Sequence, residues 1–236
     1  MHSEVSNPAV LSTDLAGLFP PGAAVAVLRG AGDIKALFPE EAGHLGRAVQ
    51  KRAQEFAAGR LCGRRLLYEF GFWNFPIVVG EHRQPIWPDV LVGSITHTAG
   101  FCAAVVAPKA RVRAVGIDCE IADSVRPELW RGICTPHETA WLRSLPDAQQ
   151  LRAATLIFSA KEAFYKCQFG ATQERLGFQD AIVEMPEWSE PRGVFRVRAL
   201  RHIALDRIAA MPLEGRYLFH DEFVTTAMAL RQGIAL

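Results

Sequence analysis

The sequence predicts an α+β chain made of two parts with similar element order. Two observations lead there. Short apolar, β-branched runs that suit strands (23–28, 101–107, 115–120, 223–230) stand apart from two long helical stretches, 40–70 and 150–169. The order strand, helix, strands also occurs once on each side of a polar, basic connector, 108–113 (PKARVR). That connector predicts a first half over 1–107 and a second over 108–236.

A chain of 236 residues, half of them apolar and 22% charged, buries a real core as one large domain or two small ones. A net charge of +1 argues against a partner held by overall attraction to nucleic-acid phosphates, so any anion binding must be local. The five cysteines are scattered without a C-x-x-C pair, which reads as buried free thiols in a reducing cytoplasm. No stretch has the basic start and apolar core of a leader, or the roughly eighteen apolar residues of a membrane helix. The expectation is a soluble, cytoplasmic monomer with no membrane partner. The glycine-rich phosphate loop, the dinucleotide fingerprint and the nucleophile elbow are all missing from the sequence.

Taken in order, 1–22 is polar and Pro-broken, a loosely ordered arm, and 23–28 (AAVAVL) is a first strand. The helical stretch that follows is basic over 47–70, where Arg47, Lys51, Arg52, Arg60, Arg64 and Arg65 face only Glu55 and Glu69. Such a face is either solvated or an anion pocket. A short strand over 76–80 precedes a segment stiffened by Pro85 and Pro88, containing His82 and Arg83. Gly93 and Gly100 then bracket Ser94, Thr96, His97 and Thr98. His97 is a structural histidine, or it joins nearby amides and hydroxyls around a phosphate.

In the second half Val115 and Ile117 mark a buried strand that ends in Asp118 and Glu120. Period-two alternation puts both carboxylates on one face, where they repel unless a cation lies between them. All-oxygen ligands suit Mg²⁺; the alternative is a solvated strand end. Along 150–169, Ala153, Leu156, Ile157, Ala160, Ala163, Phe164 and Cys167 form one apolar face. Thr155, Phe158, Ser159, Glu162 and Lys166 occupy the other. Glu162 and Lys166 are i,i+4 neighbours: a surface ion pair, or a third carboxylate and a cation beside an anionic substrate. The end of the chain reads as a half-exposed strand at 194–200, a turn at 214–215, a strand at 216–219 and a last strand at 223–230.

Five segments in register, spanning about 47–180, resemble the 4′-phosphopantetheinyl transferases of the surfactin and enterobactin synthase type. They are Lys51-Arg52-x-x-Glu55-Phe56-x-x-x-Arg60, Arg83-Gln84-Pro85-x-Trp87-Pro88, Gly93-Ser94-Ile95-Thr96-His97, Gly116-Ile117-Asp118-x-Glu120 and Phe158-Ser159-Ala160-Lys161-Glu162-Ala163-x-x-Lys166. The resemblance implies two similar α+β halves about a pseudo-twofold axis, with the substrate cleft between them. It also implies transfer of the phosphopantetheine arm of coenzyme A to a serine of an acyl or peptidyl carrier protein, with release of 3′,5′-ADP. Secondary-metabolite or siderophore synthesis is the setting it brings to mind.

By position, the resemblance makes Asp118, Glu120 and Glu162 Mg²⁺ ligands. Glu162 is also the candidate base, and Lys166 a phosphate partner that stabilises the leaving group. His97 contacts phosphate with Thr96 beside it, and Arg52 and Arg60 grip the 3′-phosphate. Many members carry Gly-Lys-Pro where this chain has Arg83-Gln84-Pro85, so Arg83 or His82 supplies that charge. Arg126, Arg131 and Arg143 are carrier contacts or solvated arginines. The competing readings are a CoA- or nucleotide-binding protein without transfer activity, and a Mg²⁺-dependent phosphodiesterase acting on CoA.

Overall fold

The computed structural model describes residues 8–188, 190–207 and 212–232. In the first half, helix α1 (Pro8–Ala16) leads into strand β1 (Ala24–Arg29), a short helix α2 (Pro39–Ala42) and the long helix α3 (Gln50–Glu69). Strands β2 (Leu91–Thr98) and β3 (Phe101–Pro108) complete a three-stranded antiparallel sheet in the order β1-β3-β2. In the second half, β4 (Val112–Ile121) precedes α4 (Pro127–Ile133), α5 (Pro136–Ser144) and the long helix α6 (Asp147–Thr172). Strands β5 (Ala181–Glu184), β6 (Arg192–Ala199), β7 (Leu213–His220) and β8 (Phe223–Arg231) follow. With β4 they form a five-stranded antiparallel sheet, β4-β8-β7-β6-β5. The α+β class therefore holds, each half laying one long helix on one antiparallel sheet.

Helix α3 buries Ala58, Cys62, Leu66 and Leu67 against Ala26, Cys102, Ala104 and Val106. Helix α6 buries the whole apolar face read from the sequence, Ala153 through Cys167, against the second sheet. Its approach to β4 requires Gly116, because a Cβ there would lie 2.0 Å from the Ala163 carbonyl oxygen. A third core lies between the sheets and joins Val25, Val27, Phe101 and Val105 to Val115, Ile117, Cys119 and Phe223.

The sheets meet along β2 and β4, whose link is made by side chains. Ser94 Oγ accepts the Ile117 N–H at 3.2 Å and Thr96 Oγ1 accepts the Cys119 N–H at 3.0 Å. Two hydroxyls at i,i+2 thus replace carbonyl acceptors along the seam.

Several expectations are corrected. Within the predicted arm, residues 1–7 lie outside the described residues, but 8–16 is helical. Leu11 and Leu15, one turn apart, bury into the core between the sheets with Phe19. Helix 40–70 is interrupted between α2 and α3, where Gly46 takes φ +51. The predicted strand 76–80 contributes only an isolated bridge, Val79 to Pro85. Side chains claim its peptide groups instead: Ile77 N–H donates to Glu41 Oε1 and Ile77 O accepts from Arg60 Nε. No turn occurs at 214–215, because β7 runs through it. Gly215 there leaves room for Phe195 of β6, whose ring would lie 2.2 Å from a Cβ. All five cysteines are free and buried, and no helix among the described residues is long and apolar enough to cross a membrane.

Candidate active site

Strand alternation along β4 sends Gly116, Asp118 and Glu120 toward α6, while Val115, Ile117 and Cys119 enter the core between the sheets. Lys166 reaches back from α6 to this face. Its Nζ donates to Asp118 Oδ1 at 2.7 Å and to the Ile117 carbonyl at 3.1 Å. Of the two readings of Glu162 and Lys166, the surface ion pair does not form, because the ammonium chooses a carboxylate on β4 that is nearly enclosed. Thr96 donates to the same Oδ1 at 3.3 Å, whereas Asp118 Oδ2 is buried with no hydrogen-bond partner.

The electrostatics follow from this crowding. Burial, then Asp118 and Glu162, push the Glu120 carboxyl up to about 7, with Lys166 opposing them. Burial also raises Glu162, helped by Asp118 and opposed by Lys166. Burial pulls Lys166 down, but Asp118, Glu162 and Glu120 together outweigh it and leave the ammonium held above its ordinary value. Three oxygen-bearing acids that repel one another, one with an orphaned buried oxygen, suit a hard divalent cation. Among the described residues no three His, Cys, Asp or Glu side chains converge into a metal cage. The ammonium of Lys166 is the cation in contact with Asp118.

On the α3 side of β2 lies a second cluster. Arg52 Nη1 donates to His97 Nε2 at 2.9 Å, and Glu55 Oε2 lies 3.8 Å from His97 Nδ1. Burial and the Arg52 guanidinium lower the His97 pKa, and Nε2, facing a guanidinium that can only donate, is the acceptor. Lys166 and Asp118 also act on this ring, so both clusters share one electrostatic region. Thr96 and His97, adjacent in sequence, divide between them: Thr96 turns to β4 and His97 to α3.

Arg60 is buried on the same helix, its guanidinium 3.8 Å from the Phe56 ring centroid. Burial lowers its pKa to about 10, with Glu41 opposing, so it stays charged at neutral pH. Its Nε is committed to Ile77 O, and its Nη groups have no hydrogen-bond partner among the described residues.

Between the halves a cavity of about 400 Å³ is lined by 82–87 and 91–95 on one side and by Tyr165, Lys166 and Phe169 on the other. Of the residues expected at the site, it takes His82, Arg83 and Lys166. His82 accepts from Arg175 of the second half at 2.8 Å, while Arg83 is exposed with φ +68. Glu162 lines a separate cavity of about 230 Å³, and His97 one of about 190 Å³. Tyr165, which sequence reading missed, walls both the 400 Å³ and the 230 Å³ cavities; its position between Glu162 and Lys166 was the available signal. Arg175 lies outside every motif and carried none.

Residues 40–107 match the 4′-phosphopantetheinyl transferase N-terminal domain, and residues 114–212 match the 4′-phosphopantetheinyl transferase superfamily. The transferase Svp of Streptomyces mobaraensis is 35% identical over 204 residues, covering 84% of this chain and 80% of that protein. This chain belongs to the 4′-phosphopantetheinyl transferase family. The chain is also 43% identical to PptT of Mycobacterium tuberculosis over 61% of its length, and 40% identical to enterobactin synthase component D of Escherichia coli over 56%. In those two comparisons the match spans 63% and 62% of the relative's length.

Proposed function

We propose that the transferase moves the 4′-phosphopantetheine arm of coenzyme A onto a serine hydroxyl of an acyl or peptidyl carrier protein and releases 3′,5′-ADP. The observation that carries this reading is the Asp118–Lys166 contact at the seam of the halves, beside Glu120 and Glu162 and next to the inter-half cavity. In this reading Lys166, which lines the cavity, meets the pyrophosphate and offsets charge on the departing 3′,5′-ADP. Arg52 and the Nη groups of Arg60 grip the 3′-phosphate, His97 lies at the phosphates, and His82 and Arg83 border the cavity. Asp118, Glu120 and Glu162 are the residues to hold Mg²⁺. When bound, a divalent cation there neutralises the non-bridging oxygens of the pyrophosphate. Glu162, with its raised pKa, accepts the proton of the carrier serine as that oxygen attacks phosphorus.

The carrier approaches from the second half, where exposed Arg131 and Arg143 border a hollow of about 730 Å³ beside α4 and α5, with Arg126 just before α4. Those arginines suit an acidic partner surface. A cytoplasmic monomer with division of labour between 1–107 and 108–236 completes the proposal.

The test is to incubate the protein with an apo-carrier, CoA and Mg²⁺ and to weigh the carrier by intact-mass spectrometry. Gain of one phosphopantetheine arm is the expected result. CoA cleaved without carrier modification would make the protein a phosphodiesterase, and intact CoA would leave a binding protein.

A further inference from the structure

Thr96 is almost fully enclosed, at 3% exposure, and its hydroxyl has two neighbours of fixed character. The Cys119 main-chain N–H can only donate, so Thr96 Oγ1 accepts it at 3.0 Å. The single hydroxyl hydrogen is then left for Asp118 Oδ1 at 3.3 Å, because a carboxylate can only accept. Lys166 Nζ donates to the same oxygen at 2.7 Å. Two donors on Oδ1 fix the carboxylate plane and leave Oδ2 buried and unpartnered. Little of Thr96 remains for a phosphate.

We propose that Thr96 is a positioning residue, whose hydroxyl, set by the Cys119 N–H, orients Asp118 so that Oδ2 is the free ligand atom, rather than a contact to the phosphates of CoA. The inference rests on the reading of Asp118 as a cation ligand given above. It reassigns Thr96 from substrate to protein. It also links the two halves chemically, since the first half supplies the hydroxyl and the second half the carboxylate. Ser94 is the internal control: it makes the same kind of suture two residues earlier, to Ile117 N–H, and its hydroxyl has no bond to Asp118.

The experiment compares Thr96→Val, Thr96→Ser and Ser94→Ala in the full chain; Thr96→Ala serves where valine strains the seam. Mn²⁺ affinity is measured without substrate from the electron paramagnetic resonance of free Mn²⁺. Tm is recorded for each variant, and kcat and KM for CoA are measured with an apo-carrier. Loss of the hydroxyl at position 96 is expected to weaken Mn²⁺ binding by about ten-fold or more, as for a lost hydrogen bond to a charged group, and to lower kcat while KM for CoA changes little. Thr96→Ser restores both. Ser94→Ala lowers Tm yet binds Mn²⁺ like the unmodified protein.

Unchanged Mn²⁺ affinity in Thr96→Val overturns the inference. So does equal weakening in Ser94→Ala, which would mean general loosening of the seam, or a raised KM with kcat intact, which would mean a phosphate contact. Should the unmodified protein transfer nothing to a carrier, the functional reading fails by itself, and the Mn²⁺ measurement still decides the role of Thr96.

Discussion

Lys166 Nζ lies 2.7 Å from Asp118 Oδ1, across the interface between α6 and β4, instead of pairing with Glu162 one turn away on its own helix. Removing the carboxylate therefore strands a mostly enclosed ammonium, which the sequence alone did not foretell. Asp118→Ala is expected to abolish transfer and also to lower stability by roughly 1.5–3 kcal/mol, the range for hydrogen bonds to charged groups. Urea unfolding and a turnover assay at saturating Mg²⁺ check both parts. Transfer close to that of the unmodified protein would remove Asp118 from the site.

Glu162 lines its own cavity and is more a candidate for chemistry than for holding CoA. Glu162→Gln is expected to lower kcat well before it weakens CoA binding, because the amide cannot take the serine proton. Single-turnover kinetics alongside calorimetric CoA binding separate the two. A loss confined to affinity would make Glu162 a binding group only.

Much of the site could be read from the sequence because period two in β4 and the three-to-four spacing in α6 are strong signals. Asp118 and Glu120 share a face as alternation requires, and the apolar stripe of α6 is buried where expected. What could not be read depended on tertiary partners. Lys166 pairing with Asp118 follows from the close approach at Gly116. Thr96 and His97 part company only once β2 is known to lie between α3 and β4. The segment 76–80 carries a strand's composition, but Glu41 and Arg60 occupy the peptide groups that a ladder would need.

Lys161, inside the Phe-Ser-Ala-Lys-Glu motif, borders the 230 Å³ cavity with Glu162 but commits its ammonium to protein acceptors. Its Nζ donates to Glu138 Oε2 at 2.8 Å and Ile133 O at 2.9 Å, both buried, and to Phe178 O at 2.7 Å, which is part-buried. Glu138 in turn accepts the main-chain N–H groups of Thr135 and Val183. Lys161→Ala leaves that carboxylate buried and unpaired, which costs about 3–5 kcal/mol. The expected phenotype is a large fall in Tm, with KM for CoA unchanged in whatever folded fraction remains. An unchanged Tm would remove Lys161 from this structural role.

Glu120 gives a pH signature. Its folded pKa is raised to about 7 from an ordinary 4.5, first by burial and then by Asp118 and Glu162. Between those values the folded state holds a proton that the unfolded state has released, so stability falls as pH rises across this window. Above about 7 the penalty is constant. Glu120→Gln cannot ionise and is expected to flatten that part of the curve, making it the more stable form at pH 8 without divalent ions. Tm of the two proteins from pH 4 to pH 8 tests the sign; curves that stay parallel would contradict it.

Arg52 and Arg60 make the sharpest test, because one is exposed and the other has a second duty. Arg52 touches His97 and Glu55 at the surface, whereas Arg60 Nε also secures Ile77 and with it the start of the segment bordering the cavity. Loss of a 3′-phosphate contact should act on CoA and spare dephospho-CoA, which lacks that group. Loss of the Ile77 anchor should lower Tm and penalise both substrates alike. Arg60→Ala is expected to raise KM for CoA by roughly ten- to a hundred-fold, the equivalent of a charged hydrogen bond, on top of a smaller rise shared with dephospho-CoA. Arg52→Ala should show a weaker CoA-specific rise with Tm unchanged, since its site is open to solvent and screened. The ratio of the two KM values, measured in each variant, decides the matter. Equal rises for both substrates in Arg60→Ala would leave that arginine as the anchor of Ile77 and nothing more.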